Sequence, residues 1–127
     1  MRIGSVALVL AVAVAAAQAA EGPAAHHAAI VVDGRIDVPS AMLDVGGVRI
    51  YAVHDIARLD IDPPAAGVDV VVFGHSHRPG IEHRDRVMYL NPGSAGPRRF
   101  DLPVTIARLT IKDGGAEAEI IEILPSA

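Results

Sequence analysis

Two histidines separated by one residue are the strongest candidates for chemistry in this chain of 127 residues. They belong to the tetrapeptide Gly74-His75-Ser76-His77, which directly follows an apolar run at residues 68–73. Neutral imidazole nitrogens bind divalent zinc, manganese or iron, and the glycine allows the backbone to turn sharply beside them. The spacing therefore favours ligands for one or two metal ions, although a bare His-x-His also suits an ordinary surface loop.

A third histidine, His54, directly follows a second apolar run at residues 48–53. Both runs contain the β-branched and aromatic residues that are typical of strands. Open α/β folds place their sites at the carboxyl ends of their strands. We therefore expect His54 to approach His75 and His77 at one edge of a sheet.

The elements that position these histidines are predicted to be mostly strands. Short apolar runs between turn residues predict strands at residues 29–32, 48–53, 68–73, 81–83, 87–90, 104–111 and 116–123. Continuous β-branched residues in the third run suit a strand that is covered on both faces. Pro63-Pro64 limits residues 55–66 to a short helix and a loop. The pattern predicts an α/β fold that is strand-rich with few helices.

The composition of the chain excludes several classes of function. Hydrophobic residues make up 51% and charged residues 20%, which is typical of one folded domain. An aromatic content of 3%, the absence of Trp and a net charge of −4 argue against nucleic acid as a partner. A small phosphorylated substrate remains compatible. Because the chain has no Cys, a transition metal would need imidazole and oxygen ligands.

The N-terminal residues 1–20 have the features of an export signal. They contain one Arg, an apolar run and the sequence Ala17-Gln18-Ala19, which matches a signal-peptidase site. The run is shorter than the roughly 20 residues that span a bilayer, so no stable membrane anchor is expected. The alternative is a spurious leader from a misplaced gene start. Residues 21–29 are predicted to be a linker, in which His26 and His27 are solvated.

The motifs occur in a distinctive order. A strand ends in His54, an Asp- and Val-rich strand runs into Gly74-His75-Ser76-His77, and Asn91-Pro92-Gly93-Ser94 follows. Over residues 30–124 this order resembles the second half of the YfcE-type phosphodiesterases, which are calcineurin-like metallophosphoesterases. The resemblance implies a partial α/β/β/α sandwich and a cytoplasmic location, or export if the leader is a real signal. It also implies hydrolysis of a phosphodiester or phosphomonoester by a metal-activated hydroxide.

The resemblance further implies a set of site residues. His54 and His75 would bind the second of two metal ions and His77 the first, while the loop at residues 91–94 closes beside them. Manganese is the divalent metal that the resemblance favours, with zinc and nickel as alternatives. Asp55 stands where the family often has Gly, so it is expected at the surface or behind the site. His83 has no counterpart in the family and is expected to be exposed.

The sequence departs from the family in its first half. The family's Asp-x-His and Gly-Asp motifs do not occur. Its Gly-Asn-x-Asp motif corresponds to Gly34-Arg35-Ile36-Asp37, where Arg35 replaces a ligand asparagine, and a guanidinium has no lone pair for a metal. No residue is therefore assigned a catalytic role, and the activity of this chain alone is predicted to be impaired.

Substrate and partners give further expectations. Arg98 and Arg99 could bind a phosphate by bidentate hydrogen bonds, or could be solvated. An inactive chain could serve as an interaction scaffold, as the resemblance to the retromer subunit of this family implies, and a truncated gene product is a third possibility. Loss of the family's first strands would leave an unpaired edge on the sheet of residues 48–53 and 68–73, which favours a homo-oligomer or a partner chain.

Overall fold

A computed structural model of the chain describes residues 6–10, 30–32, 35–37, 40–95, 98 and 101–126. For the first three of these ranges it describes the strands and their pairing. The elements are β1 (Val6–Leu10), β2 (Ile30–Val32), β3 (Arg35–Asp37), β4 (Ser40–Val45), β5 (Val48–Val53), a 3-10 helix (Ile56–Arg58), β6 (Val70–Phe73), β7 (Gly80–Arg84), β8 (Val87–Asn91), β9 (Val104–Lys112) and β10 (Gly115–Leu124). The chain is therefore strand-rich, as predicted.

The strands form three sheets. A five-stranded sheet has the order β4-β5-β6-β8-β7, a three-stranded sheet has the order β1-β9-β10, and β2 pairs with β3. In the large sheet β5, β6 and β8 run parallel, while β4 and β7 are antiparallel to their neighbours. The carboxyl ends of the three parallel strands consequently lie at one edge, where the sequence places its histidines.

The main core lies between the five-stranded and the three-stranded sheets. Alternate residues of each strand point to the same face, so one set of side chains from the central strands meets one set from β9. The buried residues of this core are Val48, Ile50, Val70, Val72, Met88, Leu90, Ala107, Leu109 and Ile111. Two sheets packed over a shared core make a sandwich, as the α/β/β/α prediction required.

A second cluster covers the opposite face of the five-stranded sheet. Its buried members are Tyr51, Val53, Val68, Val71, Val87 and Tyr89, and side chains of the segment after β5 pack against them. The Tyr51 hydroxyl donates to the Asp60 carboxylate at 3.0 Å. The central strands are thus buried on both faces, which confirms the prediction from their β-branched residues. In the described part of the chain, no helix has the length and hydrophobicity to span a membrane.

Three hairpins share one type of turn. The two central residues have positive φ in each: 55° and 82° at Gly46-Gly47, 50° and 66° at Asp85-Arg86, and 52° and 74° at Asp113-Gly114. Two positive φ angles define the type I′ turn, whose twist matches that of antiparallel strands. The hairpins β7–β8 and β9–β10 confirm the two predicted from the sequence.

The hairpin β4–β5 corrects an expectation about the sheet edge. The sequence predicted that the sheet of residues 48–53 and 68–73 would have an unpaired edge, but β5 lies between β4 and β6, and β6 lies between β5 and β8. The edges of this sheet are β4 and β7, each with one described neighbour. The expectation misplaced the edge because it overlooked β4, whose sequence Ser-Ala-Met-Leu-Asp-Val mixes polar and apolar residues without a regular alternation. Gly46-Gly47, the turn that joins β4 to β5, was the available signal.

The N-terminal segment contributes one described strand to the sandwich. β1, within the residues interpreted as a leader, pairs antiparallel with β9 from Val6 opposite Ile111 to Leu10 opposite Ala107. The rest of residues 1–29, including His26 and His27, lies outside the described residues. The division into a leader at 1–20, a linker at 21–29 and a domain at 30–124 stays a prediction.

An ion pair across β4 and β5 makes the stability of the fold depend on pH. The Arg49 guanidinium donates to the Asp44 carboxylate at 2.8 Å and holds the pKa of that carboxyl below its ordinary value of 3.8. Because the folded pKa is the lower one, this contribution is present above about pH 4 and is lost as the pH falls through the folded value. We expect Asp44→Asn to lose less stability than the unaltered chain between about pH 4 and pH 2, in urea unfolding.

The matched control for this pair is Asp101→Asn, which alters an exposed carboxylate outside the pair. It should follow the acid response of the unaltered chain. An identical acid response of Asp44→Asn and the unaltered chain would contradict the prediction.

Candidate metal centre

His54 and His75 lie at the carboxyl ends of two neighbouring parallel strands. β5 ends at Val53 and β6 at Phe73, and these two residues are opposite each other in the parallel register. The pairing continues one step further, because the Gly74 N–H donates to the His54 carbonyl at 2.9 Å. Backbone hydrogen bonds alone therefore place the two histidines side by side, independently of any contact between their side chains.

A tight turn at His75 directs its side chain. The Ser76 N–H donates to the Gly74 carbonyl at 2.9 Å, and the φ of His75 is 71°. A hydrogen bond from residue i+2 to residue i across a central φ near +75° is the rarer and more strained form of the γ-turn. His77 also has a positive φ, 61°. Strained backbone at non-glycine residues is concentrated at functional sites.

The imidazoles of His54 and His75 face each other. Nδ1 of His75 is 3.3 Å from Nε2 of His54, and the two rings meet edge to face, with an angle of 87° and a centroid distance of 5.2 Å. His75 is exposed and His54 is half-buried. One ring can donate to the other in a suitable tautomer, and the same two nitrogens are also positioned to share a metal ion.

The separation of the two nitrogens suits one metal ion. Nitrogen ligands at about 2.0–2.1 Å from a tetrahedral zinc ion are about 3.3–3.4 Å apart. The distance of 3.3 Å in this structure therefore matches one edge of such a coordination sphere. The donor set is also appropriate for zinc or nickel, because imidazole suits both metals. His54 and His75 would hold this ion.

His77 stands apart from this pair in its surroundings. Its side chain is 5% exposed, whereas His75 lies at the surface. Within the described ranges, no three His, Cys, Asp or Glu side chains are grouped so that they could hold a metal ion. The structure thus brings two of the three expected ligands together, and the assignment of His54, His75 and His77 as metal ligands stays a prediction.

The Asn-Pro-Gly-Ser loop lies beside the loop at residues 74–77, here called the metal loop, as the resemblance implied. Asn91 Nδ2 donates to Ser76 Oγ at 3.2 Å, and the Gly93 N–H donates to Asn91 Oδ1 at 2.9 Å. The Thr105 hydroxyl donates to the Pro92 carbonyl at 2.7 Å, and its N–H donates to the Ser94 carbonyl at 3.0 Å. Thr105 is 0% exposed, so this loop is fixed from inside the sandwich.

The sequence did not single out Thr105. It sits in the regular apolar alternation of β9, where a buried threonine differs from a buried valine only by its hydroxyl. The hydroxyl must find an acceptor when it is buried, and the loop carbonyl of Pro92 supplies one. That pairing is created by the fold.

The structure also describes three other polar residues that the sequence analysis considered. The Asp55 carboxylate accepts from the Ala57 N–H at 3.0 Å and caps the 3-10 helix. His83 is exposed on β7, as expected. Arg35 begins β3 and is opposite Val32 in the β2–β3 pair.

The arginines predicted to bind substrate differ in what the structure describes. Arg98 Nη1 donates to the carbonyls of Pro125 at 2.7 Å and Leu102 at 3.3 Å. This side chain therefore connects the segment after β10 to the loop before β9. Arg99 lies outside the described residues. A substrate-binding role for either arginine stays a prediction.

The order of motifs and their convergence on one sheet edge agree with comparisons with known proteins. The profile of the calcineurin-like phosphoesterase superfamily domain matches residues 12–114. The chain belongs to this superfamily. The superfamily inferred from the motifs is thereby confirmed.

A curated relative agrees with this assignment. A protein of Methanocaldococcus jannaschii named as a probable metallophosphoesterase is 31% identical over 90 residues, which are 65% of this chain and 46% of the relative. The chain thus spans about half the length of this relative.

Solved structures share the fold. A conserved protein of Streptococcus pneumoniae, described as a predicted phosphoesterase, has a TM-score of 0.56 at 22% identity, over 70% of this chain and 57% of that one. Vacuolar protein sorting 29 of Cryptosporidium parvum has a TM-score of 0.51 at 18% identity, over 68% of this chain and 57% of that one. These similarities confirm the fold class of a calcineurin-like phosphoesterase.

Proposed function

We propose that this chain binds one divalent metal ion between His54 and His75 and acts weakly, in the manner of the YfcE-type enzymes, on a small phosphorylated substrate. The observation that carries the proposal is the 3.3 Å separation of His75 Nδ1 and His54 Nε2 at the ends of adjacent parallel strands. Manganese is the metal favoured by resemblance, and zinc and nickel suit the same nitrogens.

The residues of the chain would orient the substrate more than they would activate it. A bound metal ion would supply positive charge to stabilise negative charge on the phosphoryl oxygens. The exposure of His75 leaves that region open to a ligand, and the loop at residues 91–94 is hydrogen-bonded to the neighbouring Ser76. Because the described residues contain no group of three or more side chains that could hold a metal ion, we expect slow hydrolysis.

Metal content and activity test this proposal together. The purified chain, incubated with manganese, zinc or nickel and freed of excess metal, should retain about one ion per chain and hydrolyse a chromogenic phosphodiester slowly. Elemental analysis and absorbance at the wavelength of the released phenol give the two readouts. Retention of no metal would overturn the proposal, and retention of two with rapid turnover would contradict the predicted impairment.

An interaction scaffold is the second candidate function. It is favoured by the observation that the described residues group fewer than three potential metal ligands. The structural similarity to vacuolar protein sorting 29 supports the same candidate at the level of the fold. A scaffold should retain little metal and form a stable homo-oligomer or complex, which sedimentation velocity and pull-down experiments detect. Either function is compatible with a cytoplasmic protein, and a cleaved export signal would instead be detected by N-terminal sequencing of the mature chain.

A further inference from the structure

The hydroxyl of Ser76 is held by two hydrogen-bond donors. Ser76 lies between His75 and His77, and its Oγ accepts from Asn91 Nδ2 at 3.2 Å and from the Arg78 N–H at 3.3 Å. A serine hydroxyl has two lone pairs that accept and one O–H that donates. Both accepting positions are therefore taken by donors of the protein, one in the loop at residues 91–94 and one at Arg78.

The direction of the Asn91 amide is fixed by a second contact. Its oxygen Oδ1 accepts from the Gly93 N–H at 2.9 Å. A backbone N–H can only donate, so the amide oxygen must face Gly93 and the amide nitrogen must face Ser76. Asn91 is 2% exposed, which leaves its side chain little freedom to turn over. Ser76 Oγ is consequently an acceptor toward Asn91 and cannot donate to it.

The remaining capacity of Ser76 is a single O–H donor that points away from these two contacts. The residue is exposed, and it follows His75, whose imidazole faces His54 at 3.3 Å. The hydroxyl therefore has one donor left, on an exposed residue that is the chain neighbour of His75. Phosphoryl oxygens that carry negative charge accept hydrogen bonds, and a donor oriented in advance binds them without losing rotational freedom.

We propose that Ser76 is a substrate-binding residue whose O–H donates to a phosphoryl oxygen beside the His54–His75 pair. The inference rests on the function proposed above and adds to it a specific contact for the phosphate. Asn91 is the positioning residue in this arrangement, because its amide holds the Ser76 oxygen in the accepting role.

Binding of inorganic phosphate to the zinc-loaded chain tests this contact. In isothermal titration calorimetry, we expect Ser76→Ala to weaken phosphate binding roughly 10-fold, the size of one hydrogen bond to a charged acceptor. Ser76→Thr keeps a hydroxyl and should remain within about 3-fold of the unaltered chain. Ser126→Ala, at an exposed serine after β10, is the matched control and should change nothing. In hydrolysis, the loss in Ser76→Ala should fall on KM more than on kcat.

The zinc content of each variant separates the two proposals. Zinc retained by Ser76→Ala at the level of the unaltered chain, together with weaker phosphate binding, supports the contact. Equal phosphate affinity with zinc retained would overturn the role of Ser76 and leave the proposed metal site intact. Loss of zinc in Ser76→Ala would show that Ser76 holds the loop and not the substrate. Failure of the unaltered chain to bind zinc would overturn both proposals.

Discussion

Replacing His75 with alanine is expected to lower the zinc affinity of the chain at least about 100-fold, because even partners of metal ligands contribute 10- to 100-fold. His75 supplies one of the two nitrogens that stand 3.3 Å apart, and its removal takes one imidazole out of the proposed site. Fluorescent-chelator competition measures the affinity, and the proposed slow hydrolysis should disappear with the metal.

Matched histidine variants show whether this loss is specific. His83→Ala removes an exposed imidazole from β7 and should leave zinc affinity unchanged. His54→Ala should lose as much as His75→Ala, and the double variant should lose little more, because two residues that act as one unit are not additive. Unchanged zinc affinity in His75→Ala would show that the metal binds elsewhere.

A further variant, His77→Ala, tests whether His77 contributes to zinc binding. If His77 joins the site when metal binds, His77→Ala should also weaken zinc binding. Since its side chain is buried, the folded state of this variant must be verified by circular dichroism before the affinities are compared. An affinity equal to that of the unaltered chain would limit the site to the other two histidines.

Replacing Gly93 with alanine is expected to destabilise the fold by about 2–5 kcal/mol, from backbone strain and overpacking together. Gly93 has a φ of 77°, a region that alanine avoids. A β-carbon there would overlap the Thr105 hydroxyl and would approach the Pro79 side chain at 3.2 Å. Thr105 cannot withdraw, because its side chain is buried and bonded to Pro92. Urea unfolding followed by circular dichroism measures the loss.

Gly114→Ala is a control that separates the two causes. Gly114 has a similar φ of 74°, but apart from its two chain neighbours no described residue lies within 4 Å of the position that its β-carbon would take. Alanine should therefore cost about 1–2 kcal/mol there, the value for backbone strain alone. Equal losses in the two variants would contradict the steric argument. The Gly93 variant should also lose phosphate binding, because the Gly93 N–H orients the Asn91 amide that holds Ser76.

Local patterns in the sequence were sufficient for most of the strands. Apolar runs bounded by turn residues placed β5 and β6 and both C-terminal hairpins, because strand periodicity and turn chemistry are properties of neighbouring residues. β4 was overlooked, although Gly46-Gly47 marks its turn. The mixed sequence of β4, Ser-Ala-Met-Leu-Asp-Val, is a weaker signal for a strand than the continuous valines of β6.

The candidate site was less predictable than the strands, because it depends on contacts between residues that are distant in the chain. The sequence identified His54, His75 and His77, since each follows a strand or lies in the loop after one. It could not determine which rings meet, because the answer depends on the parallel register of β5 and β6 and on the strained turn at His75. The pairing of His54 with His75, separate from buried His77, was decided by tertiary structure.

The sequence by itself determined the superfamily, because the order of motifs at strand ends is a local feature that can be recognised along one chain. The tertiary structure alone decided the hydrogen-bonding directions around Ser76. Asn91 and Gly93 are fifteen or more residues away in the chain, and they reach the metal loop because β8 runs parallel to β6 and ends at the same edge. The identity of each side chain determines whether it can donate or accept a hydrogen bond. The packing of the strands determines which partner it meets.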